Sequence, residues 1–192
     1  MNPSYFTFSK EHVALLVVDV QDKLFTSVER ASEVLYTILK VVRGFQILNL
    51  PIFISEQYPQ GLGQTVEPLR LTLGEQYKPW HKTSFSCLGE ASIADYIASS
   101  PYQQWVIIGL EAHICVLQTA QGLLKLGKQV ATLNDAITSR SIFDFSTAIA
   151  EMRDAGVRIT STETLLFELL ATSQAPEFKP LSQLVKACCN CQ

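Results

Sequence analysis

The chain has 192 residues and a mass of 21.4 kDa, the size of one domain, and it can bury roughly 70% of the surface its unfolded form exposes. Hydrophobic residues make up 47% and charged residues 17%, which excludes disorder as the main state and means that the core needs no disulfide or metal staple. With 15 Lys and Arg against 18 Asp and Glu the net charge is -3, which speaks against a general binder of nucleic acid or of anionic membranes.

Taken in chain order, Met1 to His12 is polar, lacks the apolar stretch of a signal peptide and is not Arg-rich. Val13 to Val18 (VALLVV) is a continuous apolar run that predicts a buried strand ending at Asp19. Ala31 to Asn49 repeats apolar residues at helical spacing, and Pro51 to Ser55 (PIFIS) predicts a second strand. Glu56 to Lys78 holds Pro59, Gly61, Gly63, Pro68 and Gly74, so it predicts mostly loop with room for one short helix. A short strand is predicted at Trp80 to Lys82, a helix at Glu90 to Ser99 and a strong strand at Trp105 to Gly109 (WVIIG).

Beyond it, Ala112 to Leu126 reads as a helix stopped by Gly127, and Gln129 to Leu133 as a strand. Ile142 to Ala155 reads as a helix stopped by Gly156, Val157 to Thr160 as a last strand and Glu163 to Ala171 as a last helix. From Gln174 onward, Pro176 and Pro180 predict an irregular tail. The expectation is therefore one domain over residues 1–192, with its core at about 12–172 and an irregular tail over 173–192. Strands that are apolar without alternation, interleaved with helices, imply a parallel sheet covered on both faces, a three-layer α/β/α domain.

The five cysteines are Cys87, Cys115, Cys188, Cys189 and Cys191, an odd number with three crowded into the tail. That is not a secreted disulfide framework, so a reducing, intracellular setting is expected, with the cytoplasm as the default. The longest apolar runs are about six residues, against the ~20 needed to span a bilayer, so no membrane partner is expected.

In parallel α/β sheets ligands sit outside the carboxyl ends of the strands, which directs attention to the residues just after each one. Asp19, abutting VALLVV, is either a partly desolvated base or a cap for the next segment. Cys115 falls in the first turn of the helix after WVIIGL, where the helix dipole lowers a thiol pKa. It reads as a nucleophile or, equally in keeping with a buried Cys, as a small hydrophobe. Lys82 is either a cation beside that pair or solvated surface, and His81 and His113 make a competing Cys–His dyad conceivable. The chain has no H-x-x-x-H pair and no Walker or dinucleotide fingerprint, and Gly61-Leu62-Gly63 is a lone G-x-G. The three tail thiols make an incomplete soft-metal site, so neither a metal nor a cofactor is expected.

The strings ALLVVDVQDKLF, FISEQYPQGLGQT, HKTSFSCLGE and VIIGLEAHICVLQTAQGLLKLGKQVATLNDAITSR together resemble the isochorismatase-like cysteine hydrolase superfamily. The likeness is strongest to its isochorismatase domain-containing branch and runs from about Ala14 to about Thr164. The resemblance implies a Rossmann-like, six-stranded, mostly parallel sheet and an Asp–Lys–Cys triad that falls on Asp19, Lys82 and Cys115. It further implies a non-proline cis peptide at Leu110–Glu111, with the amides of Glu111 and Cys115 as an oxyanion hole. Gln21, Phe25, Gln57, Tyr58, Trp80 and His113 are then the expected lining of the substrate pocket.

Nicotinamidases of the superfamily carry a D-x-H metal site after the second strand, where this chain has Ser55-Glu56-Gln57-Tyr58. A cofactor-free hydrolase of a small amide, acting through a thioester and assembled as a homo-oligomer, is the leading expectation. The alternatives are a non-catalytic oligomeric scaffold on the same fold and, less in keeping with the acidic charge, a nucleic-acid-processing protein of the kind labelled ribonuclease.

Overall fold

In the computed structural model, residues 6–187 are described. Six strands form one sheet: β1 (Val13–Val18), β2 (Ile52–Gln57), β3 (Trp80–Lys82), β4 (Gln104–Leu110), β5 (Gln129–Thr138) and β6 (Arg158–Thr160). Their order is β3-β2-β1-β4-β5-β6 and every neighbouring pair runs parallel. The chain lays β2 and β3 to one side of β1 and β4 to β6 to the other. The strand order therefore reverses between β1 and β4, the position where sheets of this type open a crevice at their carboxyl edge.

Two apolar cores explain the unalternated strand sequences. Val13, Leu15 and Val17 of β1 point into one, Ala14, Leu16 and Val18 into the other, and all six are fully buried. The first core is roofed by α2 (Ala31–Ile47), by α4 (Glu67–Leu73) and by α8 (Thr162–Leu170). The second is roofed by α5 (Ala91–Ser99), α6 (Leu117–Lys125) and α7 (Ile142–Asp154). At the sheet edge Phe53 of β2 stacks on Trp80 of β3, ring centroids 5.0 Å apart, with Tyr96 and Trp105 against the same ring.

The segment predicted to be mostly loop holds two helices, α3 (Pro59–Leu62) and α4, each with Pro in its first turn, where the missing N–H costs nothing. A one-turn helix, α1 (Asp22–Phe25), was not expected. β5 runs five residues beyond its predicted end, because a register shift opposite Ile107 and Gly109 carries the polar stretch Asn134-Asp135 into the strand.

The tail is a larger correction. Phe178–Lys186 forms a ninth helix, α9, although irregular structure was predicted there. Pro180 falls inside its first turn, and Phe178, Leu181, Leu184 and Val185 lie on one side and join the first core. Tyr36 Oη donates to the Ala187 carbonyl at 2.6 Å and Lys40 Nζ to the Val185 carbonyl at 3.2 Å, so α2 satisfies the end of α9. Cys188, Cys189 and Cys191 lie outside the described residues.

Candidate active site

Gly109, near the end of β4, sits against β1 with φ +120, and a Cβ there would run into the Val18 carbonyl. This close approach sets the next residue of each strand beside the crevice. Asp19 follows β1 in the left-handed region, φ +50, and its amide donates to the Ser55 carbonyl at 3.2 Å. The Leu110–Glu111 peptide after β4 is cis, as the resemblance implies, and a five-residue π-helical turn, Ala112–Val116, leads from it into α6.

Lys82 stands on β3, two strands from β1, and strands in a sheet lie about 4.8 Å apart. Only a long side chain spans that gap, and Lys82 Nζ reaches Asp19 Oδ2 at 2.6 Å with both side chains fully shielded from solvent. It crosses β2 on the way and donates to Gln57 Oε1 at 2.6 Å. From the loop after β3 the carbonyls of Ser84 and Phe85 also accept, at 3.3 and 3.0 Å. The other Asp19 oxygen, Oδ1, accepts from Ser55 Oγ at 2.8 Å, and the Cys115 thiol lies within electrostatic reach of the same carboxylate. Asp19, Lys82 and Cys115, more than thirty residues apart from one another in sequence, thus meet at one carboxylate.

Charge and burial compete at this cluster. Burial lifts the Asp19 pKa above the usual carboxylate range, while Lys82, Ser55 and Cys115 pull it down. Burial is the largest single influence and disfavours the Lys82 ammonium, yet Asp19, Cys115 and Cys87 together outweigh it, so Lys82 stays protonated. The lowered thiol pKa expected for Cys115 is not found. Burial raises it, Asp19 raises it further, and Lys82 only partly opposes them. The thiol is therefore neutral at rest, with a carboxylate within reach to take its proton.

The expected pocket residues divide. Gln21 is fully buried, its Nε2 donating to the Gln57 and Gly63 carbonyls at 3.0 and 2.6 Å and its Oε1 accepting from the Gln57 amide at 2.7 Å. Gln57 spends its side chain on Lys82 and on the Thr83 carbonyl at 2.7 Å, so both glutamines hold backbone and Lys82. Trp80 is taken up in the stack on Phe53, and Phe25 packs against the first core. Tyr58 is half-exposed at φ +37 over α3. His113 Nδ1 lies 3.0 Å from Ser139 Oγ and its Nε2 lies 3.9 Å from Asp144, while His81 faces Glu56 at 3.5 Å. Neither histidine takes the place that Asp19 holds at the thiol.

Glu111 is buried and its carboxylate is gripped by Arg140 at 2.8 and 2.7 Å, which holds its pKa below the usual range. Cys87 is fully buried within electrostatic reach of Asp19, Lys82 and Cys115, and burial pushes its thiol up to about 11. Ser55, inside β2, is a neighbour of the cluster that the sequence reading passed over. A metal of the D-x-H type does not fit the residues at the end of β2. Glu56 Oε1 there already accepts from the Thr65 amide and hydroxyl at 2.7 and 2.8 Å and from the Tyr77 hydroxyl at 2.6 Å. Among the described residues no group of three or more His, Cys, Asp and Glu could hold a metal ion.

A parallel sheet with helices on both faces, carrying a buried Asp–Lys–Cys cluster at its switch point, makes this a three-layer α/β protein with its candidate site at the carboxyl edge of the strands. The family model for the isochorismatase domain matches residues 13–164, and the chain belongs to that family, as an isochorismatase-family hydrolase. It is 34% identical over 171 residues to isochorismatase domain-containing protein 2 of Danio rerio, covering 89% of this chain and 85% of that one. Among solved structures it is similar to the MAR1 ribonuclease from Caenorhabditis elegans, with 33% identity, a TM-score of 0.89 and coverage of 95% of this chain and 93% of the other. It also shares its fold with the YcaC gene product of Escherichia coli, described as an octameric hydrolase of unknown specificity. There the TM-score is 0.87 at 19% identity, over 94% of this chain and 89% of that one. No helix among the described residues is long and apolar enough to cross a membrane.

Proposed function

We propose that the chain hydrolyses a C–N bond of a small amide through a thioester on Cys115. The observation that carries this reading is the meeting of the Cys115 thiol and the Lys82 ammonium on one buried carboxylate, Asp19. Asp19 takes the thiol proton as Sγ attacks the carbonyl carbon. The oxygen gains the negative charge and is received by the amides of Glu111 and Cys115, each such donor being worth about 2.7–4 kcal/mol in the transition state. Collapse expels the amine, which leaves with the proton held by Asp19. Water then attacks the thioester, Asp19 accepts its proton and returns it to the departing Cys115 sulfur, and the acid is released. Lys82 keeps its proton throughout and holds the carboxylate in place. The sequence of steps calls on no cofactor.

The likeness to a protein named a ribonuclease favours phosphodiester cleavage as a second reading, which the net charge of -3 opposes. The substrate reading is tested by assaying amine release from a panel of small amides with the wild-type protein and with Cys115→Ser. The expected result is turnover of at least one amide that drops at least a hundredfold in the variant. Turnover unchanged in Cys115→Ser, or salt-sensitive RNA binding with RNA cleavage and no amide hydrolysis, would overturn it.

A further inference from the structure

Lys82 Nζ has four acceptors around it, and two of them are carbonyls of the loop that follows β3. That loop is poorly held by packing. Phe85 is 55% exposed, and a hollow of about 180 Å³, lined by Tyr58, His81, Thr83 and Glu90 among others, opens on its flank at Lys82. What closes the loop is Glu90, seven residues on at the entry of α5. Its Oε1 accepts from the Thr83 amide at 2.8 Å, from the Ser84 amide at 3.0 Å and from the Thr83 hydroxyl at 3.2 Å. Gly89 makes the approach possible, since a Cβ there would stand 2.5 Å from the Ser84 Cβ. Farther along, the Cys87 amide donates to Thr119 Oγ1 on α6 at 3.0 Å and anchors the other end of the loop.

We infer that Glu90 is a positioning residue for Lys82: by clamping the amides of Thr83 and Ser84 it aims the carbonyls of Ser84 and Phe85 at the Lys82 ammonium, and so fixes where the cation stands relative to Asp19 and Cys115. The inference rests on the proposed pairing of Lys82 with the thiol. The titratable groups facing Lys82 are Asp19, Cys115 and Cys87, and those amides are what Glu90 meets. They hold the Glu90 pKa at about 2, so the clamp stays charged throughout the pH range of the test.

The test is the pH profile of Cys115 alkylation by iodoacetamide from pH 6 to 10.5, read on the Cys115 peptide by mass spectrometry. Hydrogen exchange at Thr83 and Ser84 and a thermal melt are measured on the same proteins. Lys82 lowers the thiol pKa, so a displaced Lys82 moves the profile to higher pH. Glu90→Ala is expected to speed exchange at Thr83 and Ser84 at least tenfold and to slow alkylation at pH 8 about fivefold. Glu90→Gln, which keeps an acceptor oxygen, is expected to restore both toward wild type. A Glu90→Ala profile that superimposes on wild type, whatever its melting temperature, overturns the inference and leaves Glu90 a loop staple. Lys82→Gln, folded by circular dichroism, separates the two readings. If it shifts the profile while Glu90→Ala does not, only the role of Glu90 fails. If neither shifts it, the pairing of Lys82 with the thiol fails as well.

Discussion

Asp19 is asked to do two things that pull in opposite directions. As a negative charge against Cys115 it keeps the thiol protonated, and as a base it must remove that proton when the carbonyl arrives. Its removal therefore separates reactivity toward a simple alkylating agent from catalysis. In Asp19→Asn the charge that raises the thiol pKa is gone while Lys82 remains, so the Cys115 pKa falls and alkylation at pH 8 rises, by about tenfold for each pKa unit. Amide turnover in the same variant falls at least a hundredfold, because no base remains. Peptide mapping of carbamidomethylation beside an amine-release assay measures both. Alkylation and turnover that fall together would contradict the role given to Asp19. The three residues at this cluster were singled out in the sequence because each stands at or beyond a strand end and carries a titratable or nucleophilic group, and the resemblance named them together. Glu90 was not, because it acts on backbone amides and leaves no pattern. The contacts of Gln21 and Gln57 were not legible, since an amide side chain in a crevice looks the same in sequence whether it faces a ligand or the main chain.

The elements were legible where apolar periodicity was long and illegible where Pro and Gly masked it. β1 and α2 lie almost where their patterns put them, whereas α3, α4 and α9 carry in their first turn a proline that reads as a break in sequence. Polar ties between elements were equally invisible. Arg158 on β6 grips Glu168 on α8 at 2.8 and 2.6 Å, also donates to the Phe6 carbonyl at 2.6 Å, and lies over the rings of Phe6 and Phe8. The Phe8 amide donates to Glu168 at 2.9 Å, so this pair binds the first described residues to the sheet edge. Arg158 holds the Glu168 pKa below its ordinary 4.5. Since the unfolded chain then takes up the proton first on acidification, the contribution is complete above about pH 4.5 and is lost as pH falls through the folded-state pKa. Glu168→Gln is expected to cost about 2 kcal/mol at pH 7, the worth of hydrogen bonds to a charged group. Urea denaturation at pH 7 and pH 3.5 should show that difference shrinking at the lower pH. A difference independent of pH would mean that the pair adds packing and no charge.

At the scale of the whole molecule, the reversal of strand order between β1 and β4 decides where chemistry can occur, and the rim of that crevice is apolar in a way that burial within the described chain does not account for. Phe143 is 80% exposed and Ile142 55% exposed, both in the first turn of α7. The next residue, Asp144, faces His113 beside the turn that carries Cys115. Burying two such side chains is worth about 1.5–3 kcal/mol each, a gain that water denies to the isolated chain. A second copy of the chain, bringing the same apolar turn, is the occupant that would bury both side chains. Light scattering coupled to size exclusion is therefore expected to give a mass that is a multiple of 21.4 kDa at micromolar concentration. Phe143→Asp puts a charge where the contact needs an apolar ring, so the particle should shrink while circular dichroism keeps the wild-type fold. A wild-type protein that elutes at 21.4 kDa, or a Phe143→Asp variant that keeps its full mass, would leave the apolar turn of α7 without that role.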